Sequence, residues 1–148
     1  SNINKNKILI NEIKKLKLND CIRLLGPMNN VSKVMNSLDI HILSSASEGF
    51  PNVVAEAMAH KTPCVVTNVG DSSYIVGKTG WVVPPNDSVK LAKAIKTALN
   101  EIGTKNWNKK CNLARERIKQ KFSIDKMIKS YNKSWIKVYK KNNKRPNV

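Results

Sequence analysis

The amino-acid sequence predicts an α/β fold, a Rossmann-like doubly wound parallel sheet with flanking helices and a C-terminal helical tail. Short apolar runs of strand length alternate along the chain with segments whose apolar residues recur at helical spacing. Two further amphipathic segments follow the last apolar run, which predicts the helical tail. With 148 residues, of which 41% are hydrophobic, the chain has the size of one domain with a single core.

The first half of the chain is predicted to alternate between helices and strands. Residues 2–18 place apolar side chains at helical spacing among lysines, and Asn19 and Asp20 follow as a turn. The strands predicted here are residues 21–25, 40–43 and 63–67. The helices between them are one with the inner face Val31, Val34, Met35 and Leu38, closed by Asp39, and one over residues 52–59.

The second half of the chain begins with a turn that leads into a short helix, residues 68–76, which Asp71 or Ser72 caps. A strand over residues 81–83 follows, and Asp87 or Ser88 caps the next helix. Two amphipathic helices, residues 105–122 and 123–141, close the chain. We expect a single domain over 1–148, with its motif region at 20–101, C-terminal helices at 104–141 and a polar, disordered tail at 142–148.

The composition narrows the possible functions. The formal net charge is +17, and residues 105–148 carry fifteen Lys or Arg against two acidic residues. A solvated lysine-rich face explains this charge best, a contact with an anionic membrane surface is second, and nucleic acid is not expected, because only four residues are arginines. Three scattered cysteines and two histidines argue against a structural zinc site. No apolar run is long enough for a bilayer, so we expect a cytoplasmic protein, peripheral on the inner face of the membrane at most.

The most informative segment is residues 44–58, where two glutamates flank a predicted strand-to-helix turn. Pro51 suits the first turn of a helix, because the N–H that it lacks would have no partner there. The other N–H groups of that turn form a site suited to phosphate, and Gly49 lets a ligand approach the backbone. The carboxylates of Glu48 and Glu56 only accept hydrogen bonds, which suits the hydroxyls of a ribose or a sugar.

These residues resemble the Glu-(x)7-Glu motif of the retaining, GT-B fold glycosyltransferases of family 4, also called glycosyltransferase group 1. The matching blocks occur in the family's order: Glu48-Gly49-Phe50-Pro51, Glu56-Ala57-Met58-Ala59, Thr62-Pro63-Cys64-Val65-Val66, Val69-Gly70-Asp71, Thr79-Gly80-Trp81-Val82-Val83-Pro84-Pro85 and Asn86-Asp87. The resemblance implies the C-terminal, nucleotide-sugar-binding domain of such an enzyme, truncated at its N-terminus.

The resemblance also implies roles for individual residues. Glu48 lies beside the donor sugar as the candidate catalytic residue, without being assigned as a nucleophile, and Glu56 accepts hydrogen bonds from the ribose hydroxyls. The remaining candidate binding residues line the sugar and the diphosphate: Gly49, Phe50, Pro51, Asn52 and Val53. The donor would be a UDP- or GDP-sugar, and no cofactor or metal is expected, because the helix end and basic side chains meet the charge of the leaving group. Retention through a covalent intermediate and retention through same-face attack both stay open.

Three departures from the family pattern stand out. Lys61 occupies a position where the family favours glycine, and a left-handed backbone there would cost on the order of 1 kcal/mol. Tyr74 stands where the family has a glutamate or a small residue. The family's upstream strand, Gly-Arg turn and phosphate-binding lysine are absent from the sequence, so we expect little transferase activity from these 148 residues alone and a missing N-terminal acceptor domain as a partner.

Other functions compete with this one. A nucleotide-sugar epimerase or a glycogen or sucrose synthase would use the same scaffold. A dehydrogenase is disfavoured, because no Gly-x-Gly-x-x-Gly opens a helix. A non-catalytic module that binds anionic surfaces would show binding that falls with salt and does not depend on either motif glutamate.

Overall fold

The computed structural model describes residues 6–142, except for the side chain of residue 142. The chain divides into two compact units, Ser1–Lys33 and Val34–Val148. The candidate site lies in the second unit. The assignment of all residues to one domain stays a prediction, and residues 143–148 of the expected disordered tail lie outside the described residues.

The first unit contains the helix α1, Lys7–Lys15. The side chain of Asn6 caps it by accepting a hydrogen bond of 3.1 Å from the N–H of Leu9. The described helix ends before the predicted position 18, because the chain turns at Lys17, which has a φ of 55°. The predicted turn at residues 19–20 is confirmed.

The strand predicted over residues 21–25 is wrong, because this segment is irregular in the structure. Its apolar side chains are largely exposed, including those of Ile22 and Leu25. Among the described residues no strand pairs with this segment, so its backbone has no ladder to join. An apolar run of strand length becomes a strand only where a neighbouring strand accepts and donates its hydrogen bonds.

The second unit is built on a parallel sheet of three strands in the order β1-β2-β3. The strands are β1 (His41–Leu43), β2 (Cys64–Thr67) and β3 (Trp81–Val83). In the sheet His41 pairs with Cys64, and Val65 pairs with Trp81. The three predicted strands of this region are confirmed to within one residue at each end.

Six further helices are described. They are α2 (Val31–Ser37), α3 (Asn52–Ala59), α4 (Ser72–Val76), α5 (Ser88–Glu101), α6 (Lys105–Lys121) and α7 (Ile124–Asn142). The ends of α3 are those predicted from the sequence, and α5, α6 and α7 follow the predicted segments closely. The predicted inner face of α2 is confirmed only in part, because Met35 is buried whereas Val31 and Leu38 remain exposed.

Helices pack on both faces of the central strand β2, as in a doubly wound fold. On one face Val65 packs with Ala94 and Ala98 of α5. On the other face Cys64 and Val66 pack in a cluster with residues of α3, α4 and α6. The alternation of side chains along a strand sends neighbouring residues to opposite faces, which explains why all of β2 is buried and why Cys64, Val65 and Val66 are apolar. The predicted α/β fold class is confirmed.

The end of α3 explains the conformation of Lys61. Its φ of 66° lies in the left-handed region, where glycine is favoured. The N–H of Lys61 donates to the Met58 carbonyl at 3.0 Å and the N–H of Thr62 donates to the Ala57 carbonyl at 3.0 Å, which is the pairing of a Schellman motif. The expected left-handed cap is therefore kept although a lysine occupies the position.

The predicted caps of α4 and α5 have different outcomes. Asp71 occupies the N-cap position of α4 but its side chain makes no capping hydrogen bond. Ser72 instead accepts a hydrogen bond of 3.1 Å from the N–H of Val69, within the turn before the helix. The carboxylate of Asp87 caps α5 by accepting from the N–H of Lys90 at 2.9 Å, and this hydrogen bond lowers the pKa of Asp87.

Candidate functional site

The candidate site lies in the loop that joins β1 to α3. Because β1 and β2 are parallel, this loop leaves the sheet at the edge where both strands end. In open α/β sheets this edge is where ligands bind. The loop contains Glu48, Gly49, Phe50 and Pro51, and α3 begins immediately after it at Asn52.

Hydrogen bonds to its backbone carbonyls from the end of β2 and from the following turn fix the loop. The hydroxyl of Thr67 donates to the Ser45 carbonyl at 2.7 Å, and the N–H of Asp71 donates to the Gly49 carbonyl at 2.9 Å. Gly70 packs directly against the loop, and a Cβ at this position would overlap the carbonyl oxygens of Glu48 and Gly49. Gly70 also has a φ of 50°, so glycine is required there by both space and backbone conformation.

Glu48 is half-buried, and its orientation is fixed by a neighbour within the loop. The hydroxyl of Ser45 donates to Oε1 of Glu48 at 2.7 Å. Because the carboxylate has a second oxygen with free acceptor positions, it can still accept hydrogen bonds from a ligand. Ser45 was not recognised as a site residue from the sequence, although its position three residues before Glu48 is visible there.

Glu56 is exposed on α3, and its charge acts on His41 of β1. Burial lowers the pKa of His41, and the negative charge of Glu56 opposes this decrease. Nε2 of His41 is buried and has no hydrogen-bond partner within the described residues. Glu48 is thus held by a hydrogen bond from Ser45, whereas the charge of Glu56 acts on His41.

The first turn of α3 offers backbone donors. Pro51 is buried at the N-cap position, has no N–H, and provides no side-chain cap. The N–H of Val54 donates to the Pro51 carbonyl at 3.1 Å. The N–H groups of Asn52 and Val53 have no acceptor among residues 6–142, as expected for the first residues of a helix. Two unpaired donors therefore lie at the positive end of the helix dipole.

Gly49 differs from Gly70. A Cβ at Gly49 would meet nothing within 4 Å, and its φ is outside the left-handed region. Neither packing nor backbone strain within the described chain requires glycine at this position. The backbone of Gly49 is accordingly open to approach from outside.

Phe50 contacts an aromatic cluster that the sequence did not reveal. Its ring lies 5.9 Å from the ring of Phe122, which in turn lies 5.5 Å from the ring of Tyr74 in an edge-to-face arrangement. The guanidinium of Arg117 lies 5.9 Å from the Phe122 ring and donates to the backbone carbonyls of Tyr74 and Ile75. These contacts connect the loop to α4 and to the end of α6. Tyr74, the departure from the family pattern, thus has a packing role.

Phe50 and Asn52 also line one side of a cleft of about 450 Å³. The other side comes from the end of α6 and the first half of α7, including Lys121, Lys126 and Tyr131. Glu48 and Glu56 are not among the lining residues of this cleft. Of the predicted site residues, the structure brings Phe50 and Asn52 together here, and the roles of all seven stay predictions.

The three cysteines include one that is fully buried. Cys64 is a core residue of β2, and burial raises the pKa of its thiol to about 12. Among residues 6–142, no three His, Cys, Asp or Glu side chains are placed to bind one metal ion. In the same part of the chain, no helix has both the length and the apolar character needed to cross a bilayer.

Comparison with known proteins identifies the family. A profile of the glycosyl transferases group 1 family matches residues 4–101. The chain is 30% identical over 122 residues to N-acetyl-alpha-D-glucosaminyl L-malate synthase of Bacillus anthracis, a match that covers 80% of this chain and 31% of the relative. It is 31% identical over 121 residues to a putative colanic acid biosynthesis glycosyltransferase, WcaL, of Salmonella typhimurium, which covers 75% of this chain and 30% of the relative.

Solved structures share the fold. A glycosyltransferase from Rickettsia africae superposes with a TM-score of 0.82 at 25% identity, over 98% of this chain and 39% of that protein. The Anabaena protein HepE, solved in complex with UDP, superposes with a TM-score of 0.81 at 23% identity, over 88% of this chain and 36% of that protein. The chain spans about a third of the length of the relatives that it matches. The chain belongs to the glycosyl transferases group 1 family and has the α/β fold of GT-B glycosyltransferases.

Proposed function

We propose that this chain forms the donor-binding part of a retaining glycosyltransferase. The whole protein would transfer a sugar from a nucleoside-diphosphate sugar to a glycan or lipid-linked acceptor in cell-surface polysaccharide synthesis. Membership of the glycosyl transferases group 1 family supports the transferase activity. The names of relatives such as the putative colanic acid enzyme support the polysaccharide setting.

The observation that carries the proposal is the open backbone at the start of α3. The N–H groups of Asn52 and Val53 have no acceptor among the described residues, and Gly49 leaves space in front of the loop. An anion bound there would accept hydrogen bonds from both N–H groups at the positive end of the helix. The diphosphate of the donor is an anion of this kind. In the transition state its charge increases as it leaves the sugar, so fixed donors at this position would favour the reaction.

The two glutamates would bind the hydroxyl groups of the same donor. Glu56 is exposed on α3 and would accept from the ribose, whereas Glu48, held by Ser45, would lie beside the transferred sugar. Carboxylates are suited to vicinal hydroxyls because each oxygen can accept separately. We expect no metal requirement, since the helix end would supply the positive potential that a metal otherwise provides.

Nucleotide binding to the 148-residue chain tests the proposal. UDP and GDP are titrated by calorimetry at constant ionic strength, with UDP first because the Anabaena neighbour was solved with it. We expect saturable binding of one of the two, no loss on adding EDTA, and a weakening of about tenfold in Glu56→Ala. Glu116→Ala on α6 makes the same charge change elsewhere and should leave binding unchanged. Absence of binding by either nucleotide at millimolar concentration would contradict the proposal.

Contact with an anionic membrane is a second candidate, favoured by α7. All but one of its exposed apolar side chains recur at helical spacing on one side, whereas its lysines fall on the opposite side of the helix at 3.6 residues per turn. The apolar residues on this side are Ile124, Met127, Ile128, Tyr131, Trp135, Val138 and Tyr139, Ile136 is exposed outside it, and the lysines are Lys126, Lys129, Lys133, Lys137, Lys140 and Lys141. Salt-dependent binding to anionic vesicles that is unchanged in Glu56→Ala would support this contact. Membrane contact is compatible with the transferase function.

Epimerase and synthase activities stay open as alternatives to the transferase activity, and product analysis of the whole protein separates the three activities.

A further inference from the structure

The junction between α6 and α7 lies against the candidate site through a fixed set of contacts. Phe122, between the two helices, packs on Phe50 and Tyr74. Arg117 holds α6 to the carbonyls of Tyr74 and Ile75, and Phe122 closes α6 by donating from its N–H to the Ile118 carbonyl at 2.9 Å. These contacts place the side chains that flank Phe122 beside the loop. The cleft of about 450 Å³ is the space that remains between them.

Two positive charges from different helices line this cleft. Lys121 is the last residue of α6 and Lys126 lies in the first turn of α7. Neither ammonium group forms an ion pair with a carboxylate of the described residues. The described lining also contains no acidic residue. Because the lining contains two unpaired lysines and no acidic residue, the cleft has a positive potential, which favours an anionic ligand.

The remaining lining indicates more than a simple anion. Tyr131 and Phe50 contribute aromatic rings to the lining of the cleft, and Met127 contributes an apolar side chain. Ser123 and Ser130 contribute hydroxyl groups, and Asn52 contributes an amide. A sugar ring has an apolar C–H face that packs on aromatic rings and a polar rim of hydroxyls that needs such partners. A phosphate attached to that sugar would then meet the two lysines.

We propose that the cleft between the Phe50 loop and the α6–α7 junction binds a phosphorylated sugar through Lys121 and Lys126. The lysines neutralise the phosphate, and the aromatic rings and hydroxyl groups bind the sugar. This inference rests on the proposed function for the choice of a sugar, but its residues differ from the glutamates. Two kinds of molecule carry a phosphorylated sugar of this kind. One is the donor itself, through its sugar-diphosphate part, and the other is an acceptor that has its own phosphorylated sugar.

Glucose 1-phosphate is the probe, titrated into the 148-residue chain by calorimetry, with inorganic phosphate and glucose as partial ligands. We expect saturable binding of glucose 1-phosphate that is tighter than that of either partial ligand. Lys121→Gln and Lys126→Gln should each weaken it by about tenfold, the effect of one charge-assisted hydrogen bond. The control consists of Lys129→Gln and Lys133→Gln as separate single variants, each of which removes one charge from α7 at a residue that does not line the cleft. This control should bind like the original chain.

The source is identified by repeating the titration with the chain saturated by UDP. Competition indicates that the cleft takes the sugar-diphosphate end of the donor, and undiminished binding indicates a second phosphorylated sugar. Glu56→Ala should weaken the binding of UDP without weakening the binding of glucose 1-phosphate. A failure of the proposed nucleotide site and a failure of this cleft are therefore distinguishable. Absence of saturable binding by glucose 1-phosphate would overturn the inference. Equal weakening by the single cleft variants and the single control variants would also overturn it, because net charge alone would then explain the binding.

Discussion

At the residue scale, Lys61 shows how a fold keeps a backbone conformation after losing the residue that suits it. The Schellman hydrogen bonds at the end of α3 require a left-handed residue, and Lys61 adopts a φ of 66°. The strain of a Cβ in this region is balanced by the two backbone hydrogen bonds and by the buried residues on either side, Met58 and Pro63.

Replacing this residue by glycine should stabilise the protein. Lys61→Gly removes the Cβ strain, and we expect the free energy of unfolding to rise by about 1 kcal/mol, reduced by the greater entropy of glycine in the unfolded chain. Urea unfolding followed by circular dichroism measures the change. Lys61→Ala is the matched control, since alanine removes the long side chain but keeps the Cβ. An equal gain in both variants would show that the lysine side chain, and not the backbone, is the source of the cost.

His41 is predicted to make stability depend on pH. Burial lowers its pKa below the ordinary value of 6.5, so the unfolded chain binds the proton more tightly than the folded chain. Unfolding is therefore favoured as the pH falls below about 6.5, and the contribution levels off below the pKa of the folded state. The thermal midpoint measured between pH 5 and 8 should fall on the acidic side, and His41→Phe should make this part of the curve flatter. His60→Phe, which keeps His41, should retain the slope. If His41→Phe leaves the curve unchanged, another group controls it.

At the element scale, the sequence predicted helices and strands where local signals agree with the tertiary neighbours. The helix α3 matches its predicted ends because Pro51 suits its start and the turn at Lys61 ends it. The segment 21–25 has the apolar content of a strand but no described strand beside it, so its pattern was misleading. Strand formation depends on partners that a local pattern does not contain.

Two glycines of the site are expected to respond differently to alanine. Gly70→Ala would place a Cβ against the carbonyls of Glu48 and Gly49 and would also strain a φ of 50°, so the loop must move. We expect a loss of stability of about 1 to 3 kcal/mol together with loss of nucleotide binding. Gly49→Ala has free space around its Cβ, so the fold should be kept while the bound ligand is obstructed.

Thermal unfolding and UDP titration of both variants give the comparison. Normal stability with weakened binding in Gly49→Ala would support a ligand close to its backbone. Unchanged binding in Gly49→Ala would show that no ligand approaches there. A stable Gly70→Ala variant that binds UDP normally would contradict the view that Gly70 fixes the loop.

At the scale of the whole molecule, the fold class was predictable because alternating strands and helices produce a parallel sheet in few ways. The candidate residues in the loop were predictable because they are contiguous and resemble a family motif. The contact of Phe50 with Phe122, and the cleft that Phe50 lines together with Lys121 and Lys126, were not predictable. These residues are far apart in the sequence, and their meeting depends on how α6 packs against α3.

In the second unit, two segments that are far apart in the sequence line one cleft. The loop before α3 together with α3 supplies backbone donors and the two glutamates, and the end of α6 with the first half of α7 supplies lysines and aromatic rings. A nucleoside-diphosphate sugar contains groups that match each part, namely a diphosphate, a ribose and a sugar. This combination supports the donor-binding function better than the net charge of the chain does, because the charge is spread over many solvated lysines.

The most direct test of the central claim is the backbone amide spectrum of the isotopically labelled chain during titration with UDP. Anion binding at the start of α3 predicts saturable shifts centred on the amides of Gly49, Asn52 and Val53, with small changes in the far helix α5. Shifts confined to the lysines of α7, or no saturable shift at the loop while UDP binds elsewhere, would contradict the assignment of the donor site to this loop.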